Sequence, residues 1–154
     1  MNSKDRLTPL DVRKLMLGEH EDIRSRLDEL SRSAKTLVTA GPSELARVLR
    51  LTRSLARHLK AQIALEAAIL VPALRSADAW GEIRADKLLA QLRKRRKKLR
   101  ALRRSAAKRD RATLGGHLDQ YIDDRRSGME RVERESLNSN VLRDDVTGID
   151  VSGG

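Results

Sequence analysis

The sequence contains no cysteine and no phenylalanine, and it has a single tyrosine, Tyr121, and a single tryptophan, Trp80. The first absence excludes disulfides, thiolate nucleophiles and thiolate metal sites. The scarcity of aromatics leaves Leu, Ala, Val and Ile to build the core. Leu and Ala favour helices, and the β-branched, aromatic-rich runs expected of strands are missing. Long apolar runs are missing too: residues 63–74 contain Glu66 and are too few to span a bilayer. The N-terminus, MNSKDRLTPL, carries positive charge with no apolar stretch behind it and does not read as a signal peptide. These features predict an all-α, cytoplasmic protein without integral membrane insertion. No Ser-His-Asp or Cys-His arrangement and no phosphate-cradling glycine motif is identifiable, so an enzymatic role would have to rest on metal chemistry.

What the chain does have is charge, placed unevenly. Of its 33 Lys and Arg residues, twelve fall between positions 93 and 111 against one acid, and this window carries the whole formal net charge of +11. The remaining positive and negative groups balance. The chain therefore reads as a neutral protein of 154 residues with one basic segment, and its length suits one domain with a modest core.

Apolar periodicity predicts four helices. Thr8-Pro9 is a capped start for the first, whose stripe is Leu10, Leu15, Leu17, Ile23, Leu27, Leu30, Leu37 and Val38. Gly41-Pro42 ends it, and Ser43 is placed to cap the second, which runs through Leu45, Leu49, Leu55, Leu59, Ile63, Ile69 and Leu70 to Pro72 or just beyond. The third covers about 82–109 with Ile83, Leu88, Leu92, Leu99, Leu102 and Ala106 inward. Gly115-Gly116 reads as a breaker pair, although one helix could begin on either side of it, and the fourth helix uses Leu118, Tyr121 or Ile122, Met129, Val132 and Leu137. The prediction is an antiparallel four-helix bundle over 9–144, with flexible segments at 1–8 and 145–154 and a basic third helix.

Polar groups interrupt the inner stripes. His20 lies within reach of the Leu17, Ile23 and Leu27 face. On the second helix His58, Gln62 and Glu66 stack at steps of four. On the fourth, His117, Tyr121, Arg125, Met129 and Glu133 do the same. A buried carboxylate needs a partner, a metal or a proton. Glu66 can meet that need through an arginine, with Arg57 and Arg125 as candidates, or through iron, manganese or zinc, which suit histidine and carboxylate donors. For His58 and His117 the plainer reading is a partly exposed, hydrogen-bonded imidazole.

The order of these residues resembles the hemerythrin-like, cation-binding family of four-helix bundles. GEHEDIRSRLDEL is similar to the family's first element, with His20 at the ligand position; QIALEAAILVPAL is similar to the second, with Glu66 and Pro72 matching and Gln62 where a histidine stands. EIRADKLLAQL places Asp86 at the third-helix histidine position. MERVERESLNS keeps Glu133 but has Met129 for the fourth histidine. The resemblance spans about 9–140. It implies His20, Glu66 and Glu133 as residual metal ligands for iron or manganese, with Asp86 as a further oxygen donor. Family members bind two irons in oxygen binding, redox sensing or iron handling. The lost histidines imply a non-catalytic relative in sensing or interaction, with metal binding residual or absent; an iron- or manganese-binding redox or oxygen-responsive protein is the metal-dependent alternative.

The basic segment supports a different function. Arg93, Lys94, Arg95, Arg96, Lys97, Lys98, Arg100, Arg103 and Arg104 surround Leu99 and Leu102, a spacing that gives one apolar seam and a positive outer surface. Such a surface attracts nucleic-acid phosphates or anionic lipid. It could equally meet an acidic protein or acidic faces of a second copy in self-association, or serve only as a solvated face.

Overall fold

The computed structural model describes residues 6–39 and 41–144. The expected flexible tail at 145–154 and most of the expected flexible N-terminus at 1–8 lie outside them.

Helix α1 spans Pro9–Ala34. Its start is fixed by a reciprocal capping box: Thr8 Oγ1 accepts the Asp11 N–H at 3.1 Å, and the Asp11 carboxylate accepts the Thr8 N–H at 3.0 Å. A short 3₁₀ turn, Leu37–Thr39, precedes α2, Pro42–Leu65. Gly41 occupies the N-cap position of α2, so Ser43 lies inside the helix and does not cap it as expected. A π-helical turn, Glu66–Leu70, then leads into α3, Val71–Arg75. Proline removes a donor and crowds the carbonyl four residues back. Here the Val71 N–H reaches Glu66 O, five residues back, and this widened turn carries the chain past Pro72.

Helix α4 covers Gly81–Lys108 and α5 covers Arg111–Glu135. The turn before α4 is tight enough that a Cβ on Gly81 would lie 2.2 Å from the Leu74 carbonyl oxygen, which only glycine accommodates. Of the two starts that Gly115-Gly116 left open, the earlier holds: α5 begins at Arg111, and both glycines lie within it without breaking it. The chain reverses earlier, at Arg109, whose φ of 58° is left-handed and whose N–H bonds Ala106 O. That conformation costs a non-glycine residue about 1 kcal/mol, a small term beside the burial of two helix faces.

The four long helical segments form a ring. Helix α1 packs on α2 and α5, while α4 packs on α2, α3 and α5. Cross-links show that neighbours run antiparallel: Arg13 reaches the Leu137 carbonyl while Arg126 reaches Asp28, and Lys87 meets Glu135 while Lys98 meets Asp124. This is the expected antiparallel four-helix bundle with a basic α4.

The α1 core stripe is Val12, Met16, His20, Ile23, Leu27, Leu30 and Ala34. Leu15 and Val38, expected inside, are exposed, as is Ile83 on α4. On α1 the burial period falls on Val12 and Met16 and misses Leu15, on α4 it falls on Ala85 and misses Ile83, and in the 3₁₀ turn Leu37 is buried while Val38 faces out. Beyond α5, Leu137, Val141 and Leu142 close one end of the bundle. Among the described residues no helix is long and apolar enough to cross a membrane.

Candidate functional site

Two ionic clusters enter the core from opposite sides of the ring. The first joins α1 to α5. His20, 1% exposed, continues the Val12–Met16 stripe and places Nδ1 2.8 Å from Glu133 Oε2. Arg24, one turn further along α1, donates through Nη2 to both Glu133 oxygens at 2.9 and 2.5 Å. Both Glu133 oxygens are therefore engaged.

Burial lowers the His20 pKa, and the Arg125 charge adds to this; the bond to Glu133 and the charges of Glu66 and Glu133 pull the other way without prevailing. The neutral imidazole, donating Nδ1–H to the carboxylate, is the favoured form. For Glu133 burial acts to raise the pKa, but the hydrogen bonds from Arg24 and His20 outweigh it, and the carboxyl sits below its ordinary value. Both shifts act in one direction on stability. A native His that resists protonation contributes stability above the ordinary imidazole value, about pH 6.5, and loses it as pH falls further. A native carboxyl held low contributes stability above the ordinary carboxylate value, about pH 4.3, and loses it below. The urea midpoint is expected to fall in two stages on acidification, first below about pH 6.5 and again below about pH 4.3. In His20→Gln the first stage should shrink; an unchanged profile would remove His20 from this role.

The second cluster joins α2 and the π turn to α4. Glu66 is 0% exposed. Its Oε2 accepts a short hydrogen bond from Arg95 Nη1, while Arg95 Nη2 donates to Gln62 Oε1 at 2.9 Å. The side chain of Arg95 is only 11% exposed. The α2 column Gln62–Glu66 thus presents two oxygens that one planar guanidinium spans, a geometry an ammonium group could not match. Glu66 Oε1 and Gln62 Nε2 remain buried without hydrogen-bond partners.

Arg125 of α5 stands beside this cluster. It is 7% exposed, and its Nε has no hydrogen-bond partner. Burial lowers its pKa to about 10, with the Arg95 charge adding to the effect and Glu66 opposing it. Even so it is cationic at neutral pH. Burial raises the Tyr121 phenol, against the opposing charges of Arg125, Arg95 and Arg103.

The partner of Glu66 is therefore Arg95, not the expected Arg57 or Arg125. Arg95 had read as part of the outer basic surface; its position on α4, in line with Leu92, Leu99 and Leu102, turns it inward. The helical period carries this signal, since Arg95 lies three residues after Leu92 and four before Leu99. Asp86 also departs from expectation. Its side chain is 71% exposed and pairs with Arg75 at 3.4 Å, because Ala85 takes the inward position. His58 points its Nδ1 at the Ser54 carbonyl at 2.8 Å, and His117 is half-buried.

His20, Glu66, Glu133 and Asp86 do not form one ligand set, and among the described residues no three His, Asp or Glu side chains are grouped to hold a metal ion. The donor chemistry does not fit iron or manganese either. Glu133 is occupied by Arg24 and His20, and Glu66 by Arg95, with the Arg125 charge close by. Guanidinium groups supply the positive charge that a divalent cation would bring, and they would repel one.

Outside the core, Arg93, Lys94, Arg96, Lys97, Lys98, Arg100, Arg103 and Arg104 are exposed on α4. Within 93–111, the ion pairs among the described residues are those of Arg95 with Glu66 and Lys98 with Asp124. No protein-family model matches this chain, and no curated protein or solved structure matches it.

Proposed function

We propose that this protein is a non-catalytic interaction module on a hemerythrin-like plan, in which arginines balance the core carboxylates and the outer surface of α4 binds nucleic-acid phosphates. The observation that carries the reading is the row Arg93, Lys97, Arg100, Arg104 and Lys108, exposed and without ion-pair partners among the described residues. Unpaired cations on one rigid helix cost like-charge repulsion that a polyanion would relieve.

The dimensions agree. Positions 93–108 cover about 22 Å of helix, roughly the axial length of six phosphates along one DNA strand. Side chains on both flanks, Arg96 and Arg103 toward α2 and Lys94 and Lys98 toward α5, widen the positive track. Tyr121 lies beside Lys94 and Lys98 but is buried, and Trp80 stands at the far start of α4, so no exposed aromatic flanks the basic row and the recognition is of backbone charge and not of bases. The hemerythrin-like part of the reading is supported by His20, Glu66 and Glu133 keeping their order and all entering the bundle's polar clusters. In place of a metal, Arg95 and Arg24 hold the two carboxylates.

Fluorescence anisotropy with a duplex oligonucleotide at several salt concentrations tests the reading. Five phosphate contacts give a slope of log K against log salt of about −4.5, a loss of roughly 500-fold between 50 and 200 mM. A slope shallower than about −2 would leave too few phosphate contacts for this surface. Strong binding to an acidic polypeptide with none to nucleic acid would favour a protein partner instead.

A further inference from the structure

We propose that the cleft between α4 and α5 is a binding site for a small oxyanion of the phosphate class, with Arg125 as its buried anchor. The cleft has a volume of about 170 Å³ and is lined by Lys94, Arg95, Lys98, Arg125 and Arg131, against one acid, Asp124. That acid is already paired with Lys98 at 3.4 Å.

Arg125 is the unusual member. A guanidinium that is more than nine-tenths buried is normally fixed by a carboxylate or by several carbonyls. Arg125 has a buried Nε with no partner; the nearby carboxylate, Glu66, accepts from Arg95 through Oε2, and its Oε1 makes no hydrogen bond to Arg125. Arg95 likewise leaves its own Nε unpartnered. Two guanidinium groups thus face one cleft with more donors than the protein's own acceptors satisfy. An anion with several oxygens would supply what is missing.

Gly128 leaves the room for this arrangement. A Cβ at that position would lie 2.9 Å from Arg125 Nη2 and 3.3 Å from Cζ. Any side chain there would displace the guanidinium. Size decides the ligand class: the cleft is smaller than the roughly 300–1,000 Å³ typical of sites for drug-sized molecules, which favours inorganic phosphate or the phosphate of a small monoester over a whole nucleotide. Lys94 and Lys98 also flank the polyanion track, but Arg125 and Gly128 of α5 belong to the cleft alone, and through them it is tested separately from polyanion binding.

The test is calorimetric titration of the full chain with inorganic phosphate, and separately with a small phosphomonoester, in a phosphate-free buffer at 0.15 M salt. One saturable site per chain is expected. Arg125→Met should weaken phosphate binding by about 10- to 100-fold, the range for losing one or two hydrogen bonds to a charged group. It should also raise the melting temperature of the phosphate-free chain, since an unpaired buried charge is replaced by an apolar side chain of similar length. Gly128→Ala alters no charge and favours the helix, yet should weaken phosphate by displacing the guanidinium. Lys97→Glu with Arg104→Glu, outside the cleft, should leave phosphate binding within about twofold at this salt. Tighter binding of the monoester than of phosphate would assign the cleft to a phosphorylated metabolite, and the reverse order to free phosphate. No saturable binding by the parent chain, or unchanged affinity in either Arg125→Met or Gly128→Ala, overturns the assignment.

Discussion

Replacing Arg95 with methionine is expected to lower the unfolding free energy by about 3–5 kcal/mol, among the largest losses for any single change outside the apolar core. The residue lies in the most basic stretch of the chain, where one cation among many would be thought dispensable. Its position decides otherwise. Glu66 is fully buried, and Arg95 holds both its Oε2 and the Gln62 carbonyl oxygen. Without the guanidinium, a carboxylate and an amide oxygen are left in the core with Glu66 Oε1 already unpartnered. Methionine conserves much of the side-chain length, so lost packing contributes little.

The companion variant separates the cost of breaking the pair from the value of having it. Glu66→Leu combined with Arg95→Met removes both charges and should return stability to within about 1 kcal/mol of the parent, or above it. A double-mutant cycle in urea then reads a strong coupling between the two positions. Arg126 and Asp28, bonded at 2.6 Å with side chains 38% and 54% exposed, give the contrast: a surface pair contributes about 0–1 kcal/mol. A loss below about 1 kcal/mol for Arg95→Met would mean that Arg125 takes over the carboxylate, and the core would then hold two interchangeable arginines.

This pair also shows how far the sequence could be read. The four long helical segments, their order and most inward residues followed from the 3.6-residue period, because one-sided burial of leucines is a local and redundant signal; the π turn that splits off α3 did not. Thr8-Pro9 was legible for the same reason, since its capping partners lie three residues away. Gly115-Gly116 left the start of the last helix open because glycine only weakens a helix; packing on both sides of α5 outweighs about 1 kcal/mol per residue. The carboxylates of the core were visible as polar interruptions of an apolar stripe. Their partners were less so, because the Arg95–Glu66 and His20–Glu133 contacts join residues far apart in the chain. Arg95 was masked further by its neighbours: among nine cations in twelve positions, composition cannot single out the one that turns inward. Only its register with Leu92 and Leu99 does so.

The same register determines how the α4 surface should be probed. Reversing Arg95 would unfold the core and could not report on binding, and reversing Lys98 would set an acid against Asp124. Lys97 and Arg104 avoid both difficulties, being exposed and unpaired among the described residues. Lys97→Glu with Arg104→Glu is expected to lower duplex affinity at 50 mM salt by about 10²-fold and to flatten the salt slope by about 2, one contact for each site. Stability should move the opposite way. The new acids would lie four residues from Arg93, Arg100 and Lys108, turning three repulsive helix pairs into attractive ones worth about 0.2–0.5 kcal/mol each. Weaker binding by a chain that is at least as stable cannot be blamed on unfolding. Equal binding by this variant and the parent would move the polyanion contact off the outward row of α4 and leave that row as a solvated helix face.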